Sequence, residues 1–310
     1  MGDDSFIRIE GLTKRFGKHN VIKNLTLGIP HKGITSILGL SGSGKTTLLN
    51  ILVGFWKPTT GNIYYNSLDI VKNKSMVQDL FGFATQEGSI YPKLTVEENL
   101  IYFGQMHNMS NFAIQKRINE LLNFFELAEA RHMITTSLST GMYRRLDIAC
   151  SLIHNPKILI LDEPTGNLDP VLRKKIMALI QKISDEGTKV IITSHLMGEI
   201  EQISTQLAIL HKGKIVEIGN PDELKDKYTK NGVIKLKSEN GNYEILLKKL
   251  KEFNIKTSFV KNDALHLYTP EPQKILLSIL DFYRNKKERI KSVEINRPSI
   301  EEVFEAITRI

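Results

Sequence analysis

Short runs of consecutive apolar residues alternate with longer stretches in which apolar positions recur every three or four residues, from Phe6 to about Asp222. Ile34–Leu38 reads as a buried strand, followed by Gly-rich sequence and a helix over Thr46–Gly54. Lys157–Leu161 and Lys189–Thr193 are further short apolar runs, with a helix over Val171–Glu186 between them. This β-α-β rhythm predicts an α/β core, a mostly parallel sheet flanked by helices. Between Pro92 and His154 the pattern turns wholly helical, which predicts a helical subdomain inserted into that core over residues 88–155. Near Lys225–Gly232 the sequence becomes charged and turn-rich. The expected division is a first domain over 1–224, a linker over 225–232 and a second domain over 233–310.

The second domain reads as strand (Val233–Lys237), helix (Asn242–Phe253), hairpin (Thr257–Val260 and Ala264–Thr269), helix (Gln273–Asn285) and strand (Ile290–Ile295), with a last helix from Ser299. The βαββαβ order predicts a small α+β fold of ferredoxin-like type. Ser299 and Glu302 stand at capping-box spacing before the amphipathic set Ile300, Val303, Phe304 and Ile307.

Composition narrows the partners. No apolar run approaches the roughly 18 residues of a membrane span, and the longest candidates, such as Leu48–Trp56, fall far short. The N-terminus is acidic and has neither an apolar signal core nor a Ser or Thr where myristoylation needs one, since Phe6 stands there. A cytosolic chain is expected, with any membrane contact made through a partner. The single cysteine, Cys150, lies in an apolar helical stretch and reads as a small buried hydrophobe. A net charge of +8 is spread evenly, without a basic stripe or arm, so no nucleic-acid partner is expected.

Two motifs carry chemistry. Gly39-Leu40-Ser41-Gly42-Ser43-Gly44-Lys45-Thr46 is a complete phosphate-binding loop, after a strand and before a helix. Its glycines let backbone N–H groups curl around phosphates, and the helix N-terminus adds partial positive charge. Lys45 is expected to reach the β- and γ-phosphates of a bound nucleotide, Thr46 to ligate Mg²⁺, and Thr47 to bond nearer the α-phosphate. Ile158-Leu159-Ile160-Leu161-Asp162-Glu163 is an apolar strand ending in two carboxylates. Successive strand side chains face opposite ways, so the two can hold separate tasks. Asp162 suits Mg²⁺ held through water, and Glu163 suits a general base for an attacking water.

With these in place a family resemblance emerges. Leu138-Ser139-Thr140-Gly141-Met142, upstream of the Asp162 strand, resembles the L-S-G-G-Q sequence that defines ATP-binding cassette (ABC) ATPases. It departs from that sequence at Thr140 and Met142. The apolar positions Leu146, Ala149, Cys150 and Ile153 place a helix directly after it, so Ser139 and Gly141 sit at a helix N-terminus. The resemblance implies that these two contact the γ-phosphate of ATP held by a second subunit, stacked head to tail. It further implies that Gln86 touches Mg²⁺ or water and senses a membrane partner. Asp169, after Asn167 and Leu168, would cross the dimer interface, His195 would read the γ-phosphate, and Phe16 would stack on adenine. The other histidines and Trp56 read as structural.

The tail segment Arg297-Pro298-Ser299-Ile300-Glu301-Glu302-Val303-Phe304 is similar to the C-terminal segment of cassettes in two-component exporters of the daunorubicin-resistance and sodium-extrusion types. The resemblance therefore implies an ATPase, using ATP and Mg²⁺, that powers separate integral membrane permease subunits. It would act as a homodimer on the cytoplasmic face of the membrane, in the export direction. The alternative, a soluble ABC ATPase acting on ribosomes or DNA, fits less well. Such proteins carry two cassettes or a long coiled coil, and the stretch from Lys45 to Ser139 holds only a short helical subdomain. A regulatory binder without turnover is disfavoured by the presence of both Glu163 and His195.

Overall fold

The computed structural model describes residues 5–308 apart from 67, 71, 74–78, 230, 231, 256, 287, 297 and 298. The chain forms two compact units, Met1–Gly219 and Asn220–Ile310. In the first, β1 (Ser5–Phe16) and β2 (His19–Pro30) pair antiparallel, followed by β3 (Ile34–Leu38), α1 (Lys45–Leu52), β4 (Thr60–Tyr65) and β5 (Leu68–Asp69). Strands β1, β2, β4 and β5 make an antiparallel sheet in the order β2-β1-β4-β5. This sheet was not foreseen as a separate layer.

The central sheet adds β6 (Phe81–Ala84), β7 (Ile158–Asp162), β8 (Lys189–Ser194), β9 (Gln206–His211) and β10 (Lys214–Gly219) to β3. Its order is β10-β9-β3-β8-β7-β6, and every neighbour pair is parallel except β9 with β10. Every residue of β3, β7 and β8 is buried. That explains their unbroken apolar runs, since a strand covered on both faces has no solvent side to alternate with. The two sheets share one core, in which Ile7, Ile9 and Ile63 meet Ile37, Leu48, Ile160 and Ile191.

Between β6 and β7 the chain is helical, with α2 (Val96–Met106), α3 (Asn111–Phe124) and α4 (Thr140–Ser151). A capping box starts α2, where Thr95 Oγ1 accepts from Glu98 N and Glu98 Oε2 accepts from Thr95 N. The fully buried Asn99 fastens α2 to its surroundings through Tyr91 N, Tyr91 O and Thr135 Oγ1. Helix α5 (Pro170–Asp185) links β7 to β8, with Pro170 at its start, where a missing N–H costs nothing. A short α6 (Met197–Glu201) follows β8. Cys150 is buried in α4 and its thiol is pushed up by that burial, as a structural cysteine should be.

The second unit contains α7 (Pro221–Thr229), β11 (Gly232–Ser238), α8 (Glu244–Lys249), β12 (Thr257–Lys261), β13 (Ala264–Thr269), α9 (Pro272–Lys286), β14 (Ile290–Asn296) and α10 (Ile300–Thr308). The sheet order β12-β13-β11-β14, antiparallel throughout, is the ferredoxin-like arrangement. One face, with Ile234, Leu236, Leu265 and Leu267, packs against Leu246, Ile275 and Ile279 as a core of its own. The stretch read as a linker overlaps helix α7. Asn220 and Glu223 cap that helix reciprocally, Asn220 Oδ1 accepting from Glu223 N and Glu223 Oε2 from Asn220 N. The same device appears as foreseen before α10, between Ser299 and Glu302. Arg297 and Pro298 of the tail motif lie outside the described residues.

Candidate functional site

The site gathers at the carboxyl ends of the parallel strands, where open α/β sheets bind ligands. The loop from Gly39 leaves β3 and enters α1 through Gly44, whose φ of 108° is open to glycine and strained for other residues. A Cβ on Gly39 would lie 2.6 Å from the Leu210 carbonyl, so the first glycine is needed for close packing. Beyond it Gly42 also has positive φ, 77°. Leu40, Ser41 and Gly42 are exposed at the rim, with Thr46 exposed and Thr47 half-buried on the first turn of α1. The first N–H groups of a helix have no partner within it and carry partial positive charge, so this end favours an anion. Ser43 Oγ is buried there with no hydrogen-bond partner among the described residues. These features fit a phosphate chain.

Lys45 is buried and donates to Gly39 O at 2.9 Å and Leu40 O at 3.3 Å, so its ammonium is folded under the loop. It also pairs with Glu163 Oε1 at 3.2 Å. The other carboxylate oxygen, Oε2, lies 3.0 Å from His195 Nδ1. Three residues singled out separately in the sequence thus form one connected row. Sheet order makes this possible, because β8 lies between β3 and β7 and ends at Ser194, next to His195.

The turn after β7 is held in an unusual conformation, with Glu163 at φ 46°. Such a backbone persists in a non-glycine residue only when its surroundings hold it. Here Glu163 N donates to Thr193 Oγ1 at 3.0 Å, and Thr193 Oγ1 donates to Asp162 Oδ1 at 2.5 Å. Thr193 therefore fixes both acidic residues, a role the sequence reading missed. Asp162 is buried on the strand, leaving one oxygen free of that bond, and Thr46 and Gln86 offer further hard oxygen atoms of the kind Mg²⁺ prefers.

Gln86 is exposed on the loop after β6 and makes no bond to Glu163 among the described residues. The link between them runs through Arg144, which also escaped the sequence reading. Its guanidinium donates to Thr85 O at 2.8 Å, Pro164 O at 2.8 Å, Glu163 O at 3.1 Å and Asp147 Oδ2 at 3.0 Å. The signal was an Arg and an Asp three residues apart inside the apolar pattern of α4. Burial pushes the Asp147 carboxyl up, while Arg144 and the Ser89 N–H pull it back. Beside this loop opens a mostly apolar groove of about 460 Å³, lined by Phe55, Phe83, Phe103 and Met106 and also by Asp79 and His154.

The remaining residues stand apart from the Lys45 row. Ser139 caps α4, its Oγ accepting from Met142 N at 3.3 Å. Asp169 caps α5, accepting from Val171 N and Leu172 N. Gly141 sits where a Cβ would come within 2.8 Å of Leu172 Cδ2, so the two capped ends pack closely. Among the described residues, none of the three bonds to Lys45, Glu163 or His195. Phe16, at the end of β1, is partly exposed, with Lys14 Nζ 4.9 Å from its ring centroid. Trp56, read as structural, meets Phe16 edge to face at 5.1 Å.

The sequence matches the family described as ABC transporter over residues 22–166. It is 27% identical to the linearmycin resistance ATP-binding protein LnrL of Bacillus subtilis, covering 97% of this chain and 98% of the relative. It is 32% identical to the daunorubicin resistance ATP-binding protein DrrA3 of Streptomyces coeruleorubidus, covering 72% of this chain and 70% of that one. Among solved structures, it is similar to a dimeric ATP-binding cassette in a post-hydrolysis state bound to ADP and Pi. That match has a TM-score of 0.62 and 28% identity, and covers 69% of this chain and 98% of the other. With the phosphate loop, the paired acidic residues and the α/β core in one arrangement, the chain belongs to the ABC transporter family as an ATP-binding subunit.

Proposed function

We propose that two copies of this chain bind and hydrolyse ATP between them, and that the cycle drives a separate membrane permease in the export direction. The observation that carries this reading is the row Lys45–Glu163–His195 at the mouth of the phosphate loop. The loop N–H groups and Lys45 hold the phosphates. Glu163 takes the proton from the attacking water, and His195, bonded to that carboxylate, orients it and meets the terminal phosphate. Mg²⁺, when bound, neutralises charge on the phosphate oxygens, and Thr46, Gln86 and Asp162 are the residues that would hold it. Phe16 supplies an apolar face for the base. Ser139 and Gly141 at the start of α4, with Asp169, complete the site of the other copy. The dimeric cassette among the similar structures supports this arrangement.

The reading of the permease rests on different grounds. No helix among the described residues is long and apolar enough to cross a membrane. The apolar groove beside the Gln86 loop suits an apolar segment of a partner, which would hold the chain at the cytoplasmic face. The resistance proteins among its relatives support export. To test it, the chain is reconstituted in liposomes with the polytopic membrane protein that co-purifies with it, and ATP turnover is measured. Turnover should exceed that of the free chain and vanish with Lys45→Ala. Turnover indifferent to every membrane partner, with stimulation by ribosomes or DNA, would sink the transport reading.

A further inference from the structure

Helix α4 begins at Ser139 and carries Arg144 and Asp147 on its next turns, both buried. A guanidinium has five N–H donors in a rigid plane, and all three nitrogens of Arg144 are engaged. Nε donates to Pro164 O at 2.8 Å, and Nη1 to Thr85 O at 2.8 Å and Asp147 Oδ2 at 3.0 Å. Nη2 donates to Glu163 O at 3.1 Å and Asp162 O at 3.4 Å. Asp147 extends the grip, because its Oδ1 accepts from Ser89 N at 2.8 Å. One side chain thus binds the main chain on both sides of the catalytic turn, and its ion-pair partner binds the far side of the Gln86 loop.

We propose that Arg144, supported by Asp147, is a positioning residue that sets the Glu163 turn and the Gln86 loop jointly against the helix bearing Ser139. The inference rests on the reading of Glu163 as base and of Ser139 as the residue facing the partner copy's nucleotide. A movement of α4 when Ser139 engages that nucleotide would reach Glu163 and Gln86 through rigid hydrogen bonds, with no intervening solvent. An ordinary buried ion pair can be exchanged for apolar side chains with little loss. Here the acceptors are main-chain carbonyls of the two loops that hold the chemistry, and a displacement of about 1 Å at such a place costs on the order of 10²-fold in rate. Lysine cannot replace the arrangement, since its ammonium is a single point without the planar fork.

The test uses the full chain with Arg144→Lys and with the charge-free pair Arg144→Met/Asp147→Leu. Competent sites are counted by titration with a fluorescent ATP analogue, and turnover is expressed per site. Both variants should lose about 10- to 100-fold in kcat per competent site while KM stays within about threefold. A merely structural role would lower the number of sites and leave kcat per site at the parental value, which overturns the proposal. So would parental turnover in Arg144→Lys, which keeps the test open if the double variant does not fold. Glu163→Gln is run alongside. If it turns over like the parent, the base assignment has failed, a result distinguishable from parental turnover in the Arg144 variants alone.

Discussion

Glu163 and Lys45 are bound to each other at 3.2 Å, in surroundings that leave Lys45 only 5% exposed. The carboxylate proposed to accept a proton therefore shares the ammonium proposed to hold the phosphates. Replacing Glu163 with Gln removes the charge and keeps the shape. ATP binding should be retained, since Lys45 is relieved of a competing anion, and turnover should fall about 10²- to 10⁴-fold. With hydrolysis blocked, ATP should trap a dimer visible by size-exclusion chromatography. Turnover within a few-fold of the parent would remove Glu163 from its role.

Ser139 and Lys45 are expected to serve one nucleotide from opposite copies. Lys45→Ala and Ser139→Arg should each be inactive alone. Mixed, they create one composite site with both lesions and one with neither, so activity should return to a fraction of the parental value. A strictly monomeric sample with full activity would contradict the head-to-tail arrangement.

His154 provides a stability test at acid pH. Its Nε2 lies 2.9 Å from Phe81 O, while the buried Nδ1 has no partner among the described residues. Burial, with the stacked His107 ring 3.5 Å away centroid to centroid, pushes its pKa from 6.5 down to about 4. The unfolded chain takes up the proton near pH 6.5 and the folded chain only near pH 4. Its contribution is therefore complete above pH 6.5 and is lost as pH falls toward 4. Urea unfolding should show a loss of about 2 kcal/mol between pH 7 and pH 5 from this group. In His154→Gln that part of the pH slope should be absent, and an unchanged slope would show that the group is charged in the fold.

The core of Asn220–Ile310 is its own, built on Ile234, Leu246 and Ile275. A chain ending at Gly219 should fold and bind ATP with near-parental affinity by calorimetry, with dimer stability or coupling reduced. A truncated protein that melts cooperatively yet fails to bind ATP would place part of the nucleotide site in the tail.

Much of this was legible from residue order. The buried strands β3, β7 and β8 announced themselves as unbroken apolar runs, and Lys45, Ser139, Asp162 and His195 fell at strand ends or helix starts that local rules identify. The βαββαβ order of the tail was likewise readable, because its helices and strands have distinct periods. The antiparallel layer was harder. Buried Ile7 and Ile9 alternate with exposed Arg8 and Glu10, but beyond Ile9 the pairing of β1 with β2 shifts register at several points, so the period-two alternation lasts for only a few residues. Thr193 and Arg144 were missed for another reason. Their importance lies in the partners they meet across the fold, at Asp162 and Pro164, and no local spacing encodes those meetings.

The central placement of β8 also bears on how such a chain can diverge. Leu38 pairs with Ser194 and Asp162 with Thr193, so β8 registers the phosphate loop against the acidic turn. Deleting one residue within β8 would turn Thr193 to the opposite face and carry His195 away from Glu163. Lineages of this chain should therefore tolerate changes of residue in β8 far better than changes of length. Gains and losses of residues should collect instead between Asp69, at the end of β5, and Phe81, at the start of β6, a connection to which none of Lys45, Glu163 and His195 belongs.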